Sequence, residues 1–305
     1  MATPARLTCG RTCKRAAIAQ RWWIGLAAIL AAQAWAGGGF DDSDSAETST
    51  TITIAMLHLE LEYAQPESNL QLVERGVRLA AANGADWITT PELTFTGYRF
   101  DLRLGTDWIP FGPDRLVKKV AELAAELHVT LFLSHLEKVQ TADGGSKTYN
   151  TLFVIDESGI VARHRKINTI PTAEDWSDKG QSATVIPIDA VNVGLLICAD
   201  AWPAEPTQSL QEQGAELIIS SANWAPGEYG PGDVWERRSA QSGLPFFVNN
   251  RTGREREFDL SQAESVISHR GTRLMTHRSP DSQILLVEWA KAEQALMRQR
   301  QLKLE

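Results

Sequence analysis

Three side chains of complementary chemistry fall just past the ends of strand-like runs. Glu92 follows Trp87–Thr90, Lys166 follows a β-hairpin pattern, and Cys198 follows the apolar run Asn192–Ile197. A carboxylate, an ammonium and a thiol have a clear joint use. The carboxylate can take the thiol proton, and the ammonium can favour the thiolate and then hold a developing oxyanion. In α/β sheets the loops at the C-terminal ends of strands build active sites, so the shared placement of the three is informative. Whether they meet in space is decided by the tertiary fold.

The thiol stands alone for a further reason. The chain has three cysteines, and two of them, Cys9 and Cys13, lie in a segment that reads as a removable leader. Cys198 then has no internal disulfide partner even in an oxidising compartment, and is either an inert core thiol or a reactive one. Other site chemistries lack their signatures. The six histidines show no His-Glu-x-x-His spacing, so no zinc site of that kind is expected, and there is no Gly-x-Ser-x-Gly elbow of a serine hydrolase. Gly227, Gly230 and Gly232 sit among Pro226 and Pro231 and read as a loop, not a phosphate cradle.

The elements that must position these groups alternate between strand and helix from Thr51 onward. Ile52–Leu57 reads as a strand, Asn69–Ala82 as an amphipathic helix ending at Asn83-Gly84, Pro113–Leu127 as a second helix and Val129–Leu133 as a strand. Thr151–Ile155 and Gly159–Ala162 flank the turn-forming Asp156-Glu157-Ser158-Gly159 and predict a hairpin. Further on, Glu205–Gln213 and Val234–Gly243 read as helices, and Leu217–Ser220, Pro245–Asn249 and Ser282–Trp289 as extended. Such alternation implies a layered α/β domain. No second boundary appears, so one domain is expected over residues 51–305.

The first fifty residues read differently. Arg6, Arg11, Lys14, Arg15 and Arg21 precede the apolar run Trp22–Ala32, which ends near Ala34-Trp35-Ala36. A basic segment, a short apolar core and an Ala-x-Ala site predict a secretory signal over residues 1–36, and hence export to a periplasmic or extracellular space. The apolar run is shorter than the roughly 20 residues of a spanning helix. Residues 37–50, glycine-rich and then acidic and polar, read as a flexible linker. No later apolar stretch is long enough to span a membrane. The net charge of −8 and pI near 5.4 argue against a nucleic-acid partner.

The three segments around the reactive groups resemble the signature segments of the nitrilase superfamily of carbon–nitrogen hydrolases. They are Pro91-Glu92-Leu93-Thr94-Phe95-Thr96-Gly97-Tyr98, Arg165-Lys166, and Cys198-Ala199-Asp200-Ala201-Trp202-Pro203. Their order and spacing also match. The likeness continues in Gly84-Ala85-Asp86, Tyr149-Asn150-Thr151, Ser221-Ala222-Asn223-Trp224 and Asn250-Arg251-Thr252-Gly253, so it covers nearly all of the chain after Thr51. One departure is His164 in His164-Arg165-Lys166, where the family usually carries Tyr-Arg-Lys.

The resemblance implies a four-layer αββα sandwich, subunits that pair into a homodimer or larger homo-oligomer, and neither metal nor organic cofactor. It implies Glu92 as general base, Lys166 as oxyanion-holding cation and Cys198 as nucleophile. It further implies Glu174, eight residues after the lysine, as an orienting carboxylate, and the Ala199 backbone N–H as an oxyanion donor. Tyr98, Trp176, Trp202, Asn223 and Trp224 are candidates to line a substrate pocket, while Arg251 is read as a structural ion pair and Glu137 as structural or superficial. The activity implied is hydrolysis of a small amide, ureido or carbamoyl C–N bond through a cysteine thioester. True nitrilases typically carry Trp-Glu after the cysteine, and Ala199-Asp200 here disfavours a nitrile. A non-catalytic scaffold of the same fold is the remaining alternative, and retention of Glu92, Lys166, Glu174 and Cys198 argues against it.

Overall fold

The computed structural model of the protein describes residues 51–304. The leader and linker predicted over residues 1–50 lie outside the described residues. In chain order the first half contains β1 (Thr51–His58), α1 (Pro66–Ala82), β2 (Trp87–Thr89), α2 (Asp101–Leu104), α3 (Arg115–Leu127), β3 (Thr130–Gln140), β4 (Ser146–Asp156) and β5 (Gly159–Arg165). The second half contains β6 (Thr184–Ile188), β7 (Val191–Ile197), α4 (Glu205–Glu212), β8 (Leu217–Ser221), α5 (Val234–Ser242) and β9 (Phe246–Asn249). It ends with β10 (Arg254–Glu255), β11 (Phe258–Asp259), β12 (Ser265–His269), β13 (Thr272–His277), β14 (Gln283–Ala290) and β15 (Ala295–Lys303).

The starts of α1 and α3 follow from local chemistry. Pro66 stands in the first turn of α1, three residues before the predicted Asn69, because a fixed φ and a missing N–H cost nothing there. Leu70, Val73, Val77 and Ala80 form its buried stripe. Asp114 caps α3 by accepting from the Leu116 and Val117 N–H groups, both at 2.9 Å, so the helix begins at Arg115 rather than at Pro113.

Two sheets carry the fold. The first has the order β15-β14-β1-β2-β3-β4-β5, with β1, β2 and β3 parallel and the flanking pairs antiparallel. The second has the order β13-β12-β9-β8-β7-β6, again with a parallel centre of β7, β8 and β9. Strand alternation assigns each residue to a layer. Ile52, Ile54 and Met56 of β1 join a core shared with Val193, Leu195 and Ile197 of β7 and Phe247 of β9, whereas Ala55 and Leu57 join the core beneath α1 and α3. Helices α4 and α5 pack on the second sheet, against β7 and β12. The layers are therefore helix, sheet, sheet, helix, the expected αββα sandwich. Among the described residues no helix is long and apolar enough to cross a membrane.

Candidate active site

Each predicted group emerges where a strand ends, and the surrounding backbone is tied across the two sheets. After β2 the chain turns at Thr90-Pro91, and the Glu92 N–H donates to the Ala222 carbonyl at the end of β8 (3.1 Å). Ser221 Oγ donates back to the Thr90 carbonyl at 2.8 Å. Lys166 follows β5; its N–H donates to the Asn150 carbonyl at 2.8 Å, and its own carbonyl accepts from Gly180 N–H at 2.7 Å. A Cβ at Gly180 would collide with the Arg165 carbonyl, so only glycine allows this close approach.

Cys198 ends β7 and opens a 3₁₀ turn, Cys198–Ala201, with φ at +47°. The left-handed conformation costs a non-glycine residue about 1–2 kcal/mol and is sustained only where neighbours over-determine it. Here Asp200 does so. Its Oδ1 accepts from the Ile167 and Asn168 N–H groups at 2.9 and 2.7 Å, and its Oδ2 from Ile197 N–H at 3.0 Å and His164 Nε2 at 2.8 Å. On the other side of the turn Arg238 Nε donates to the Ala201 carbonyl at 2.8 Å, and Arg238 Nη2 donates to that of Trp202.

These supports converge on one buried cluster. Lys166 Nζ donates to Glu92 Oε1 at 2.7 Å and to both oxygens of Glu174 at 2.9 and 2.8 Å. Asn150 Nδ2 bridges the two carboxylates, at 2.8 Å from Glu92 and 3.0 Å from Glu174. Glu174 also accepts from the Ile170 N–H at 2.8 Å. Glu92 Oε2 accepts from the Asn223 N–H at 3.1 Å, and the Cys198 thiol lies beside the Glu92 carboxylate. Glu92 and Lys166 are fully buried, as is Glu174 almost entirely, and Cys198 retains only 5% exposure.

The electrostatics follow from two acids sharing one base in a dry site. Burial raises the Glu92 carboxyl above the usual carboxylate range; Lys166 opposes that rise and the Glu174 charge adds to it. Burial and the Glu92 charge push the Cys198 thiol well up, against the pull of Lys166 and of the Asn223 N–H. Burial alone would discharge Lys166, but Glu174 and Glu92 hold its proton firmly. The cluster thus sets a thiol that burial holds protonated beside a carboxyl whose proton affinity burial also raises, with Lys166 fixed between two acids.

The remaining candidates divide. Tyr98 is in the cluster, its ring centroid 5.5 Å from Lys166 Nζ, and burial raises its phenol. Asn223 contributes through its backbone. Trp202 is 48% exposed and stacks on the buried Trp224 at 5.4 Å, forming an aromatic edge beside the Cys198 turn. Trp224 is held by its Nε1 donating to the Tyr229 carbonyl at 2.8 Å. Ala199 is buried, and its carbonyl accepts from Asn168 Nδ2 at 2.7 Å. Trp176 instead packs edge-on against Phe100 at 4.9 Å, in a small apolar cluster with Leu93, Ile109 and Leu136. Glu137 is buried, not superficial, and accepts from Arg165 Nε at 2.7 Å. Arg251 is fully buried and pairs with Glu255 at 2.8 Å.

Three contributors were given no role from the sequence: Asn150 and Asp200 stood only within family-like segments, and His164 only as a departure from one. Among the described residues no group of three or more His, Cys, Asp or Glu side chains is arranged to hold a metal ion.

Known proteins share this arrangement of sequence and fold. A nitrilase from Pyrococcus abyssi is 26% identical over 168 residues, covering 52% of this chain and 60% of its own length. A citrullinase from Francisella tularensis is 27% identical over 253 residues, covering 74% of this chain and 84% of its own. The match to a glutamine-dependent NAD(+) synthetase from Thermotoga maritima spans only 27% of that longer protein. Among solved structures, a mutant of the amidase from Nesterenkonia sp. AN1, with an acetamide moiety covalently added at its active-site cysteine, superposes with a TM-score of 0.66. It is 20% identical, covering 79% of this chain and 91% of that one, a likeness of fold. The family described as carbon-nitrogen hydrolase matches residues 53–299. The chain belongs to the carbon–nitrogen hydrolase family.

Proposed function

We propose that the protein hydrolyses a small amide, ureido or carbamoyl C–N bond through a thioester on Cys198. The observation that carries this reading is the contact set at Glu92. One oxygen is bound by Lys166 Nζ at 2.7 Å, while the same carboxylate lies close enough to the Cys198 thiol for each to shift the other's proton affinity. In the first half-reaction Sγ attacks the carbonyl carbon as Glu92 takes the thiol proton. The tetrahedral oxyanion is held by Lys166 Nζ and the Ala199 N–H. Glu92 then protonates the departing nitrogen, the C–N bond breaks, and ammonia or an amine leaves. In the second half Glu92 takes a proton from water, hydroxide adds to the thioester carbon, and the acid departs as the proton returns to sulfur.

The two carboxylates are unequal partners in this scheme. Glu174 takes two hydrogen bonds from Lys166 and one from a backbone N–H, which fixes its place beside the lysine. Burial raises the proton affinity of Glu92, the direction that suits a proton shuttle.

The test is ammonia release from simple amides, carbamoyl amino acids and nitriles, combined with intact-mass detection of an acyl adduct. Wild-type protein is expected to turn over an amide or carbamoyl substrate and to gain the acyl mass at Cys198. Cys198→Ala is expected to stay folded and show neither. Undiminished turnover in that variant would sink the mechanism, and turnover of nitriles alone would replace the amide reading. The export reading belongs to residues 1–36; N-terminal sequencing of the secreted or periplasmic protein is expected to begin near Gly37, and an intact Met1 in the cytosol would refute it.

A further inference from the structure

His164 is a polar ring in a place that apolar packing alone could fill. Its neighbour across the β4–β5 ladder is Leu152, a member of the core between the two sheets, and the imidazole is fully buried. Its Nδ1 has no hydrogen-bond partner among the described residues, so the ring is oriented by Nε2 alone, 2.8 Å from Asp200 Oδ2. A buried nitrogen without a partner costs free energy that an apolar side chain of similar size would not. The arrangement therefore calls for an account of what the single bond does.

Asp200 supplies it. The same carboxylate reaches forward to the Ile167 and Asn168 N–H groups, the two residues after Lys166, and back to Ile197 N–H, the residue before Cys198. Asn168 Nδ2 adds a bond to the Ala199 carbonyl at 2.7 Å. Asp200 is thus a rivet between the lysine-bearing segment and the cysteine-bearing turn, and His164, two residues before Lys166, clamps it from the third side. The clamp also fixes the tautomer: Nε2 must carry the proton to donate to a carboxylate.

We propose that His164 is a positioning residue for the hydrolase reaction, one that sets the separation of Lys166 Nζ from Cys198 Sγ by holding Asp200 in place. This rests on the functional reading above. It touches neither substrate nor reacting atoms, and its effect is on the chemical step rather than on binding.

The test compares His164→Leu, which keeps bulk and loses the donor, with His164→Gln, whose Nε2 can occupy the position of the imidazole Nε2. Two rates are read: kcat and KM on an amide substrate, and alkylation of Cys198 by iodoacetamide, which needs no substrate. A displacement of the kind expected is worth about ten- to a hundredfold in rate. His164→Leu is expected to lose that much kcat with KM nearly unchanged, to be alkylated more slowly, and His164→Gln to recover both rates. Wild-type rates in His164→Leu, or equal impairment in His164→Gln, overturn the proposal. Should His164→Leu fail to fold, His164→Asn, too short to reach Asp200, takes its place, and equal rates for Asn and Gln variants count against the role. If wild-type protein hydrolyses no amide, the functional reading fails by itself, while the alkylation rates still decide the positioning role.

Discussion

At the scale of single residues, the site is a problem of charge in a dry place. Among the described residues Lys166 is the one cation hydrogen-bonded to the buried carboxylates of Glu92 and Glu174, and removing it leaves both acids without that partner. Lys166→Met is expected to lower kcat about a hundred- to a thousandfold, the usual cost of one oxyanion donor. It should also destabilise the fold by about 3–5 kcal/mol, because breaking a buried pair strands a charge. The pH dependence has a definite sign. Glu92 must be ionised to act as base, and its carboxyl is raised, so kcat/KM falls on acidification at a pH above the ordinary glutamate value. Lys166 lowers that carboxyl, so any residual activity of Lys166→Met should have its acid limb moved to higher pH. An unmoved limb in a pH–rate profile would mean that Glu92 is not the group titrating. Glu92→Gln should slow alkylation of Cys198, since it removes the thiol's proton acceptor.

At the scale of elements, polar groups at the ends of strands and helices hold the layers in register. Asp114 both caps α3 and accepts from His135 Nε2 of β3 at 2.9 Å, joining a helix to the sheet beneath it. Asp114→Ala should cost about 1–2 kcal/mol in urea denaturation from the lost cap alone. Asp114→Asn, which can still cap, should cost less. Two strands away in the same sheet His58 is buried on β1, with Nδ1 2.9 Å from Ser265 Oγ on β12 and its ring edge-on to His277 at 5.1 Å. Burial, with smaller contributions from His277 and Arg251, depresses its pKa from 6.5 to about 3. Between those values the unfolded chain binds a proton that the folded chain refuses. Stability must therefore fall as pH drops from about 6.5 towards 3, by up to about 1.4 kcal/mol per pH unit. His58→Asn, which can still bond Ser265, should flatten that slope in chemical denaturation series; an unchanged slope would place the acid sensitivity elsewhere.

Elements also show what was legible in the sequence. The central strands and the three longer helices α1, α3 and α5 were readable because their apolar residues repeat with a period of two or near 3.6. Of the edge strands of the two large sheets only β5, half of the predicted hairpin, was; β6, β13 and β15 were not. In β15, Arg298, Gln299, Arg300 and Gln301 follow one another without an apolar run, and β6 carries Pro187, because an edge meets solvent and has fewer neighbours to satisfy. The starts of α1 and α3 were misplaced by three and two residues, because a first-turn proline and an aspartate cap, not the apolar stripe, mark the first turn.

At the scale of the whole molecule, the fold brings four loops from two sheets to one point. Glu92 comes from the end of β2, Lys166 from that of β5, Cys198 from β7 and the Asn223 N–H from β8. No single element could present this set, which is why the between-sheet core must be rigid for the chemistry to work. Dimerisation by sheet extension is a further expectation of the family likeness. Light scattering of the purified protein should return twice the monomer mass or a multiple of it, and a monomer with full activity would remove assembly from the account.

By itself the sequence determined the identities and order of Glu92, Lys166, Glu174 and Cys198, and the strands that end beside them, since periodicity and motif context are local properties. Only the tertiary structure decided how charge is shared among them. The bridging Asn150, the Asp200 rivet and the His164 clamp lie 58, 36 and 36 residues from partners they bind. A polar residue in an apolar strand gives no sign in sequence of which distant group it will satisfy; that is fixed when two sheets close and water leaves.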